Sequence, residues 1–488
     1  MRAGSQTRSP HSASSPATAS GCSVRTAPRP VEQVAGIALG GFVRCALYAH
    51  QTPAVNAALL GDVGARVLIA DASMLQGEGA ALIGMAGVEH VIPYGGPAPE
   101  RAHGYEALLA DAGTADSGHT SRADDIHVIR FSAGTTGHPK GIVHTVQGWL
   151  AIGDEYRWVT PQLDERDVYL AAGQLTHAAV LFLWPILQVG GRVVVLPAFE
   201  PGRVLELIER ERATFTLVVP TMIQALVAHP DARTRDLTTL RCLNYAASPI
   251  SETTIAAAIK VFGQHVLYQL YGQSEAVPIT MLLPHQHAVH GTEQERRLLR
   301  SVGRATPGTV LTIVDDEGRA LRPGEVGEVA ALTPGAMTRL WNDPEGSAAR
   351  RLADGSVLTR DMGYLDADGF LFLADRKEDM IISGGFNIWP AELENALAAH
   401  PAVAEVCVVG VPHDRWGETP KAVVVLKTGG SASADELIEL TRERVGAVKK
   451  VTSVEFADEL PKSGVGKVLR RVVRERYWGA RSDRIGGA

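Results

Sequence analysis

The sequence predicts an α/β fold: a large N-terminal domain of parallel sheets covered by helices, a small antiparallel β unit and an α+β C-terminal domain. Short apolar runs such as ARVLIAD (65–71), GRVVVLP (191–197) and FTLVVP (215–220) indicate strands buried on both faces, which is typical of parallel sheets. Helical segments such as TMIQALVAH (221–229) lie between these runs, so strands and helices alternate.

The pattern changes after about residue 300, where strand-like runs come in pairs. One pair flanks an Asp-Glu-Gly turn, and another flanks Asp368-Gly369, a strong hairpin signal. Further on, Pro390 begins a helix, two Val-rich strands follow, and Ser433 and Glu436 form a capping box before an amphipathic helix. We therefore expect a domain over 31–375, a polar linker DRKED and a C-terminal domain over 376–488.

The first thirty residues differ in composition from the rest. They are rich in Ser, Ala and Pro, with four arginines and no acidic residue, and this composition is typical of a disordered tail. An organelle transit peptide shares the same bias. We predict a tail over 1–30, outside the folded domain.

The whole chain has 488 residues and a net charge of -7, which gives no reason to expect nucleic acid or an anionic membrane as a partner. Its longest apolar run is broken by Pro185 and is too short for a membrane span. The four cysteines lie far apart and form neither metal-ligand spacings nor a disulfide framework, which favours the cytoplasm.

A glycine-rich loop, SAGTTGHPKG (132–141), follows an apolar strand-like run. Glycines let backbone N–H groups approach a phosphate closely, hydroxyl groups add donors, and Lys140 adds a positive charge. The loop is not the common Gly-x-x-x-x-Gly-Lys-Ser/Thr motif, because Pro139 stands where the second glycine would be. Alone, it indicates either a polyphosphate site or a flexible turn.

Three further motifs accompany this loop. LYQLYGQSEA (267–276) places a hydroxyl beside a carboxylate, and a carboxylate next to a polyphosphate is a natural Mg²⁺ ligand. TRDMGYLDADGFLFLADRKEDMIISGGFNIWPAELE (359–394) contains an aspartate, an arginine and paired glycines, and LPKSGVGKVLRR (460–471) places a lysine on a second glycine-rich turn.

In their order along the chain these motifs resemble the adenylate-forming superfamily, specifically its acyl-CoA synthetase and fatty acid–CoA ligase branch. The resemblance extends from about residue 35 to about residue 475. It implies that a carboxylic acid and ATP form acyl-AMP and pyrophosphate, with Mg²⁺, and that the acyl group then passes to coenzyme A. It also implies that the C-terminal domain is mobile and rotates between the two half-reactions.

The resemblance assigns nucleotide-binding roles by position. Asp361 would bind the ribose hydroxyls, and Arg376 would contact ribose or phosphate nearby. Ser274 would touch the α-phosphate and Glu275 would hold Mg²⁺. The other positions clamp the β- and γ-phosphates or line the adenine, namely Ser132, Gly134, Thr135, Thr136, Gly137 and Lys140 for the phosphates and Ala246, Ala247, Tyr271 and Gly272 for the adenine.

Three positions relate by resemblance to the reacting groups. Lys467 would be the adenylation lysine, because a cation between two negative reactants stabilises charge on the transferring phosphoryl group. Gly385 would line the tunnel for the pantetheine arm of coenzyme A, and His177 would lie near the carboxylate, with a core or loop histidine as the alternative. Glu378 would be the hinge, where many relatives carry lysine or aspartate.

The acid itself is predicted to be hydrophobic and to lack an amine. No Asp or Glu lies between Val168 and Phe199 to pair with an ammonium group, and the stretch is apolar. A fatty acid is the first expectation, and an aryl or alicyclic acid the second. The histidines of PHQHAVHG invite a zinc site, but a surface loop is the better interpretation.

Other functions stay open at this point. A carrier-protein thiol is an alternative acceptor to coenzyme A. Compared with the family, the N-terminal domain is expected to be truncated, so a non-catalytic remnant that binds ATP without turnover is another alternative. The sequence specifies no oligomeric state, and a homodimer is one of the states it leaves open.

Overall fold

A computed structural model describes most of the chain, and the predicted α/β class is confirmed. Its strands form two seven-stranded sheets, one four-stranded sheet and one five-stranded sheet. The described residues are 19–23, 28–47, 51–85, 87–100, 102–131, 139–376, 379–383, 386–462 and 468–478.

The first sheet is mostly parallel. Its order is β6-β5-β2-β1-β3-β4, with a short seventh strand beside β6. The pairings of β6 with β5 and with the seventh strand are antiparallel, and the others are parallel. Its strands are β1 (Ala19–Ser23), β2 (Val43–Leu47), β3 (Val67–Asp71), β4 (His90–Tyr94), β5 (Ile126–Phe131) and β6 (Gly141–Thr145).

Strand β1 differs from the sequence prediction, because it lies within the segment 1–30 that was expected to be a disordered tail. Its backbone pairs in parallel with β2 on one side and β3 on the other. A strand paired on both sides satisfies its backbone N–H and C=O groups whatever its side chains are, so composition alone missed it.

The second sheet is parallel from β8 to β11 in the order β8-β7-β9-β10-β11-β12-β13, and its last two pairings are antiparallel. Of the three runs predicted to be buried on both faces, only β9 is buried throughout. Strand β3 alternates between buried and half-buried residues, and the edge strand β8 is exposed or half-buried, so for these two runs the prediction was wrong. The strands are β7 (Val168–Ala171), β8 (Arg192–Val195), β9 (Phe215–Val218), β10 (Cys242–Tyr245), β11 (Leu267–Tyr271), β12 (Thr280–Leu282) and β13 (Arg304–Ala305).

The two large sheets share a core in which Phe182 is central. Its ring centroid lies 4.6 Å from that of Tyr156, 5.7 Å from Tyr169 and 6.0 Å from Phe215. The same cluster includes Val128 of the first sheet. The apolar stretch expected to line an acid pocket therefore also packs the core.

Helices surround these sheets, and several begin with proline in the first turn, where its missing N–H costs nothing. They are α1 (Pro28–Leu39), α2 (Pro53–Asp62), α3 (Tyr105–Asp111), α4 (Val146–Val159), α5 (Leu183–Gln188), α6 (Pro201–Glu211), α7 (Pro220–Ala228), α8 (Glu252–Phe262), α9 (Glu293–Arg297) and α10 (Pro344–Ala348). Short 3₁₀ helices cover Ala72–Leu75, Gly77–Leu82, Ala178–Val180, Pro230–Arg233, Gln264–Val266, Pro284–Gln286 and Leu298–Arg300. Among the described residues, no helix combines the length and the apolar character needed to cross a bilayer.

The third sheet is the predicted antiparallel unit. Its order is β14-β15-β17-β18, and both predicted hairpin regions are present. The strands are β14 (Val310–Val314), β15 (Gly327–Leu332), β17 (Val357–Leu365) and β18 (Leu371–Arg376), while β16 (Arg339–Leu340) pairs with β6 in the first sheet.

The C-terminal region is α+β, as predicted. Ser433 and Glu436 form the expected capping box, and Arg470 binds the carboxylates of Asp379 at 2.9 Å and Glu394 at 2.8 Å. Its elements are β19 (Ile381–Ser383), β20 (Phe386–Ile388), α11 (Pro390–Ala398), β21 (Val403–His413), β22 (Gly417–Leu426), α12 (Ala434–Val445), β23 (Ser453–Phe456) and α13 (Arg470–Trp478).

One histidine of PHQHAVHG is buried. The hydroxyl of Tyr245 donates to Nε2 of His287 at 2.8 Å, and Nδ1 of His287 donates to the Leu283 carbonyl at 2.9 Å. Burial lowers the pKa of His287 from 6.5 to about 4. Nε2 accepts a hydrogen bond and Nδ1 donates one, which is the pattern of a neutral imidazole.

We expect His287 to make folding sensitive to acid. The unfolded state takes up a proton near pH 6.5 and the folded state only near pH 4, so stability is full above pH 6.5 and falls as the pH drops toward 4. The free energy of unfolding should fall by about 2 kcal/mol between pH 7.5 and pH 5 through this group alone. Urea titrations of the wild type and of His287→Gln at both pH values check this, because the variant should lose less unfolding free energy between the two pH values. A loss as large in the variant as in the wild type would contradict the prediction.

Candidate functional site

The predicted nucleotide-site residues cluster where parallel strands of the second sheet end. Strands β7, β10 and β11 point the same way. His177 follows β7, and Ala246 and Ala247 follow β10. Tyr271 is the last residue of β11, and residues 272–275 follow it. In open α/β sheets, the crevice outside the carboxyl ends of the strands is where ligands bind.

After β11 the chain makes a tight turn. Gln273 and Ala276 exchange two backbone hydrogen bonds, of 2.8 Å and 3.2 Å, which leaves Ser274 and Glu275 at the tip. A Cβ on Gly272 would lie 2.9 Å from Cγ2 of Val277, so glycine is needed for this close approach.

The two carbonyl groups at the tip are both held from outside the turn. Nε2 of His144, on β6, donates to the Ser274 carbonyl at 2.8 Å. The backbone N–H of Met337 donates to the Glu275 carbonyl at 2.8 Å. The turn is therefore fixed to the first sheet and to the segment before β16.

The carboxylate of Glu275 is suited to hold a hard cation. Its side chain is 14% exposed, and Oε1 lies 4.0 Å from Nη2 of Arg350. A single carboxylate at the edge of a phosphate site matches the way proteins bind Mg²⁺, with one or two carboxylates and substrate phosphates. The donor set therefore fits the cation that the resemblance implies.

Asp361 joins two motifs that are far apart in the sequence. It is 9% exposed, and its Oδ2 accepts from the hydroxyl of Tyr271 at 2.7 Å and from Nε2 of Gln273 at 2.5 Å. Its own backbone N–H donates to Oγ1 of Thr359 at 3.1 Å. Two hydrogen bonds to Oδ2 thus hold this carboxylate beside the turn.

Two non-glycine residues near the site have left-handed backbone conformations. Ala247 has φ +80° and lies exposed just after the buried Ala246, while Arg360 has φ +64° immediately before Asp361. Such conformations are uncommon for residues with a Cβ, and they concentrate at functional sites. At both positions the backbone changes direction at or next to a predicted site residue, Ala247 itself and Asp361.

The glycine-rich loop lies mostly outside the described residues, including Ser132, Gly134, Thr135, Thr136 and Gly137. The strands that flank it pair directly, Phe131 with Gly141. Nζ of Lys140 donates to Oδ2 of Asp343 at 3.0 Å, and both side chains are partly exposed. The hydrogen bond from Gly346 N–H and the charge of Lys140 lower the pKa of Asp343.

His177 lies half-buried after β7, and its Nδ1 forms a 3.1 Å hydrogen bond with Oγ1 of Thr176. The preceding loop is anchored by the buried Arg44, whose Nη2 donates to the Leu175 carbonyl at 3.1 Å. This places the ring near the strand ends, and its predicted role toward the acid stays a prediction.

The remaining predicted residues are Arg376, Gly385 and Lys467, together with the hinge Glu378. The backbone of Arg376 pairs with that of Asp361 across β17 and β18. Gly385 and Lys467 lie outside the described residues, as does the hinge Glu378. The described residues that flank the segment containing Lys467 are joined by a bridge between Lys462 and Val468.

Several residues that contact the site through their side chains were not named from the sequence. They include Gln273, His144, Asp343 and Arg350. A signal existed for His144, because a titratable histidine directly follows the apolar residues of the strand GIVHT, and such a residue is seldom fully buried without a partner. The other three stand at exposed or half-exposed positions where a polar residue needs no explanation.

Comparison with known proteins identifies the family. A family model described as AMP-binding enzyme matches residues 24–341. The chain belongs to this family. A second model, for the C-terminal domain of AMP-binding enzymes, matches residues 392–467. The predicted superfamily is therefore confirmed.

Members of the AMP-binding enzyme family with assigned substrates are similar over most of the chain. The medium/long-chain-fatty-acid–CoA ligase of Mycobacterium tuberculosis is 35% identical over 91% of this chain and 79% of its own length. The feruloyl-CoA synthase of an Amycolatopsis species is 38% identical over 72% of this chain and 70% of its own.

Solved structures of the family share the fold. An amide bond synthetase from Marinactinospora thermotolerans is 30% identical, with a TM-score of 0.83, and the match covers 95% of this chain and 91% of that one. The Bacillus subtilis o-succinylbenzoate CoA synthetase, in complex with its acyl-adenylate intermediate, is 26% identical with a TM-score of 0.81, covering 94% and 88%.

Proposed function

We propose that the protein is an AMP-forming acid–CoA ligase acting on a hydrophobic carboxylic acid. The observation that carries this proposal is the Asp361 carboxylate, held by Tyr271 and Gln273 beside the Ser274-Glu275 turn, in a chain of the AMP-binding enzyme family. Relatives that activate fatty, aryl and alicyclic acids with coenzyme A support it.

The first half-reaction joins the acid to the nucleotide. A carboxylate oxygen attacks the α-phosphorus of ATP, the bond to the bridging oxygen breaks, and pyrophosphate leaves. In this proposal Asp361 accepts hydrogen bonds from the ribose hydroxyls, and Ser274 donates to the α-phosphate. Lys467 stabilises the charge that develops on the transferring phosphoryl group.

Glu275 would hold Mg²⁺ during this step. The cation, when bound, neutralises phosphate charge and polarises the phosphoryl oxygens. Glu275 is oriented by the hydrogen bonds that fix both tip carbonyls, so the carboxylate stays aimed as the nucleotide enters. Lys140, which pairs with Asp343, would exchange this partner for phosphate oxygens.

The second half-reaction releases AMP. The sulfur of coenzyme A attacks the acyl carbon, the bond to the AMP oxygen breaks, and the thiol proton passes to solvent or to a base. We propose that Gly385 lines the path of the pantetheine arm, where a side chain would narrow it. A carrier-protein thiol is the alternative acceptor, since one relative is a fatty acid–acyl-carrier-protein ligase.

A fatty acid is our first choice of substrate. The segment from Val168 to Phe199 offers no carboxylate for an ammonium group. Its apolar side chains Leu181, Phe182 and Leu183 are buried. The second choice is an aryl or alicyclic acid, because relatives include an indoleacetate–CoA ligase and a feruloyl-CoA synthase. The cytoplasm is the proposed location.

Pyrophosphate release on a panel of acids tests the proposal. The panel contains fatty acids from short to long, benzoate, cinnamate and alicyclic acids, each with ATP and Mg²⁺, with and without coenzyme A. Turnover that requires coenzyme A is expected, and the best acid names the substrate class. Absence of turnover from folded protein that binds ATP would reject the ligase assignment and favour a non-catalytic nucleotide-binding protein.

A further inference from the structure

We infer that His144 is a positioning residue for the nucleotide site: its Nε2–H holds the Ser274 carbonyl and so aims the side chains at the tip of the turn. The inference rests on the proposed function, because it gives Ser274 and Glu275 the roles proposed above. His144 belongs to none of the motifs that predicted the site.

The geometry of the turn explains why such a residue is needed. The backbone hydrogen bonds within the turn join Gln273 and Ala276. The carbonyls of Ser274 and Glu275 take part in neither of them and accept from groups outside the turn. The Glu275 carbonyl is held by a backbone N–H, which any residue at 337 except proline would supply. The Ser274 carbonyl is held by one side chain, so its orientation depends on residue identity at position 144.

The surroundings of His144 fix its ring in one place. The side chain is fully buried on β6, whose neighbouring residue Val143 accepts a 2.8 Å hydrogen bond from Thr338 N–H. The ring meets Trp149 edge to face, with centroids 5.7 Å apart. A ring held this firmly transmits its position to the carbonyl that it binds.

The chemistry of the contact fixes the tautomer. A carbonyl only accepts, so Nε2 carries the proton and Nδ1 does not. Burial, assisted by the charge of Arg130, lowers the pKa of His144 to about 3, so the ring is neutral at working pH. A neutral donor orients the Ser274 peptide without adding a charge that would compete with Mg²⁺ for Glu275.

Two isosteric substitutions test this inference. In His144→Gln the side-chain amide reaches roughly where Nε2 stands and keeps a donor for Ser274, whereas in His144→Asn it reaches only to Nδ1. Both variants place an uncharged amide in the same buried site. His127→Asn is the control, since His127 packs on the same Trp149 at 5.6 Å but has no described contact with the turn.

The readouts are Mg·ATP affinity by titration calorimetry, without any acid, and the Mg²⁺ concentration that gives half-maximal pyrophosphate release. We expect His144→Asn to weaken both by roughly 10-fold, which is the order of magnitude of one lost hydrogen bond. His144→Gln and His127→Asn should stay within a few-fold of wild type. Equal losses in all three variants, or none in His144→Asn, would overturn the inference.

The two proposals fail separately. Wild-type protein that binds Mg·ATP but turns over no acid removes the ligase assignment, while the calorimetric comparison of the His144 variants still decides the positioning role. Wild-type protein that does not bind Mg·ATP overturns both.

Discussion

Replacing Lys467 with alanine is expected to lower acyl-adenylate formation by roughly 10²- to 10³-fold, the usual cost of losing one group that stabilises transition-state charge. Two negative reactants meet in this step, and a cation between them favours the transition state more than the ground state. Thioester formation from supplied acyl-AMP should be largely unaffected, because no phosphoryl group is transferred in that step. ATP–pyrophosphate exchange measures the first half-reaction, and thioester release from synthetic acyl-AMP and coenzyme A measures the second.

Lys462→Ala is the matched control for this prediction. Lys462 stands five residues earlier in the sequence, where it bridges to Val468 and pairs with Glu405 at 2.6 Å. Both partners are partly exposed, and such pairs contribute little to stability. Lys462→Ala should therefore leave both half-reactions near wild type. Equal loss in both steps for Lys467→Ala would refute its assignment to adenylation.

The sequence predicted elements where local patterns decide structure. The Asp-Gly turn between β17 and β18, the capping box at Ser433 and the buried run of β9 all formed as expected. Each depends on residues within about ten positions of one another, so hydrophobic periodicity and turn chemistry suffice.

Direct contacts between distant segments were not predicted, even where a motif named both partners. Tyr271 and Asp361 were both named from motifs, although their direct hydrogen bond across ninety positions was not. For the Lys140–Asp343 pair, only Lys140 was named from a motif. Asp343 was not, because an aspartate before a helix is explained by its role as the N-cap. Strand β1 was missed because its pairing uses backbone groups alone. Tertiary pairing of this kind leaves no periodic trace in the sequence.

Replacing Asp361 with alanine is expected to weaken ATP binding by on the order of 10²-fold, because a hydrogen bond to a charged acceptor contributes about 1.5–3 kcal/mol and two ribose hydroxyls share this one. The carboxylate is buried and accepts hydrogen bonds from Tyr271 and Gln273, which hold it beside the turn. Tyr271→Phe removes one of these donors and leaves the carboxylate, and it should cost less than about 10-fold.

A nucleotide series separates the ribose role from general damage to the site. Wild-type protein should bind ATP more tightly than 2′-deoxy-ATP or 3′-deoxy-ATP, because each analogue lacks one donor to Asp361. In Asp361→Ala that preference should disappear, since the acceptor is gone and the coupling between hydroxyl and carboxylate is removed with it. In Tyr271→Phe the preference should persist. If Asp361→Ala discriminated between the nucleotides as wild type does, the carboxylate would have another role, and the turn at Ser274 and Glu275 would have to recognise ATP without it.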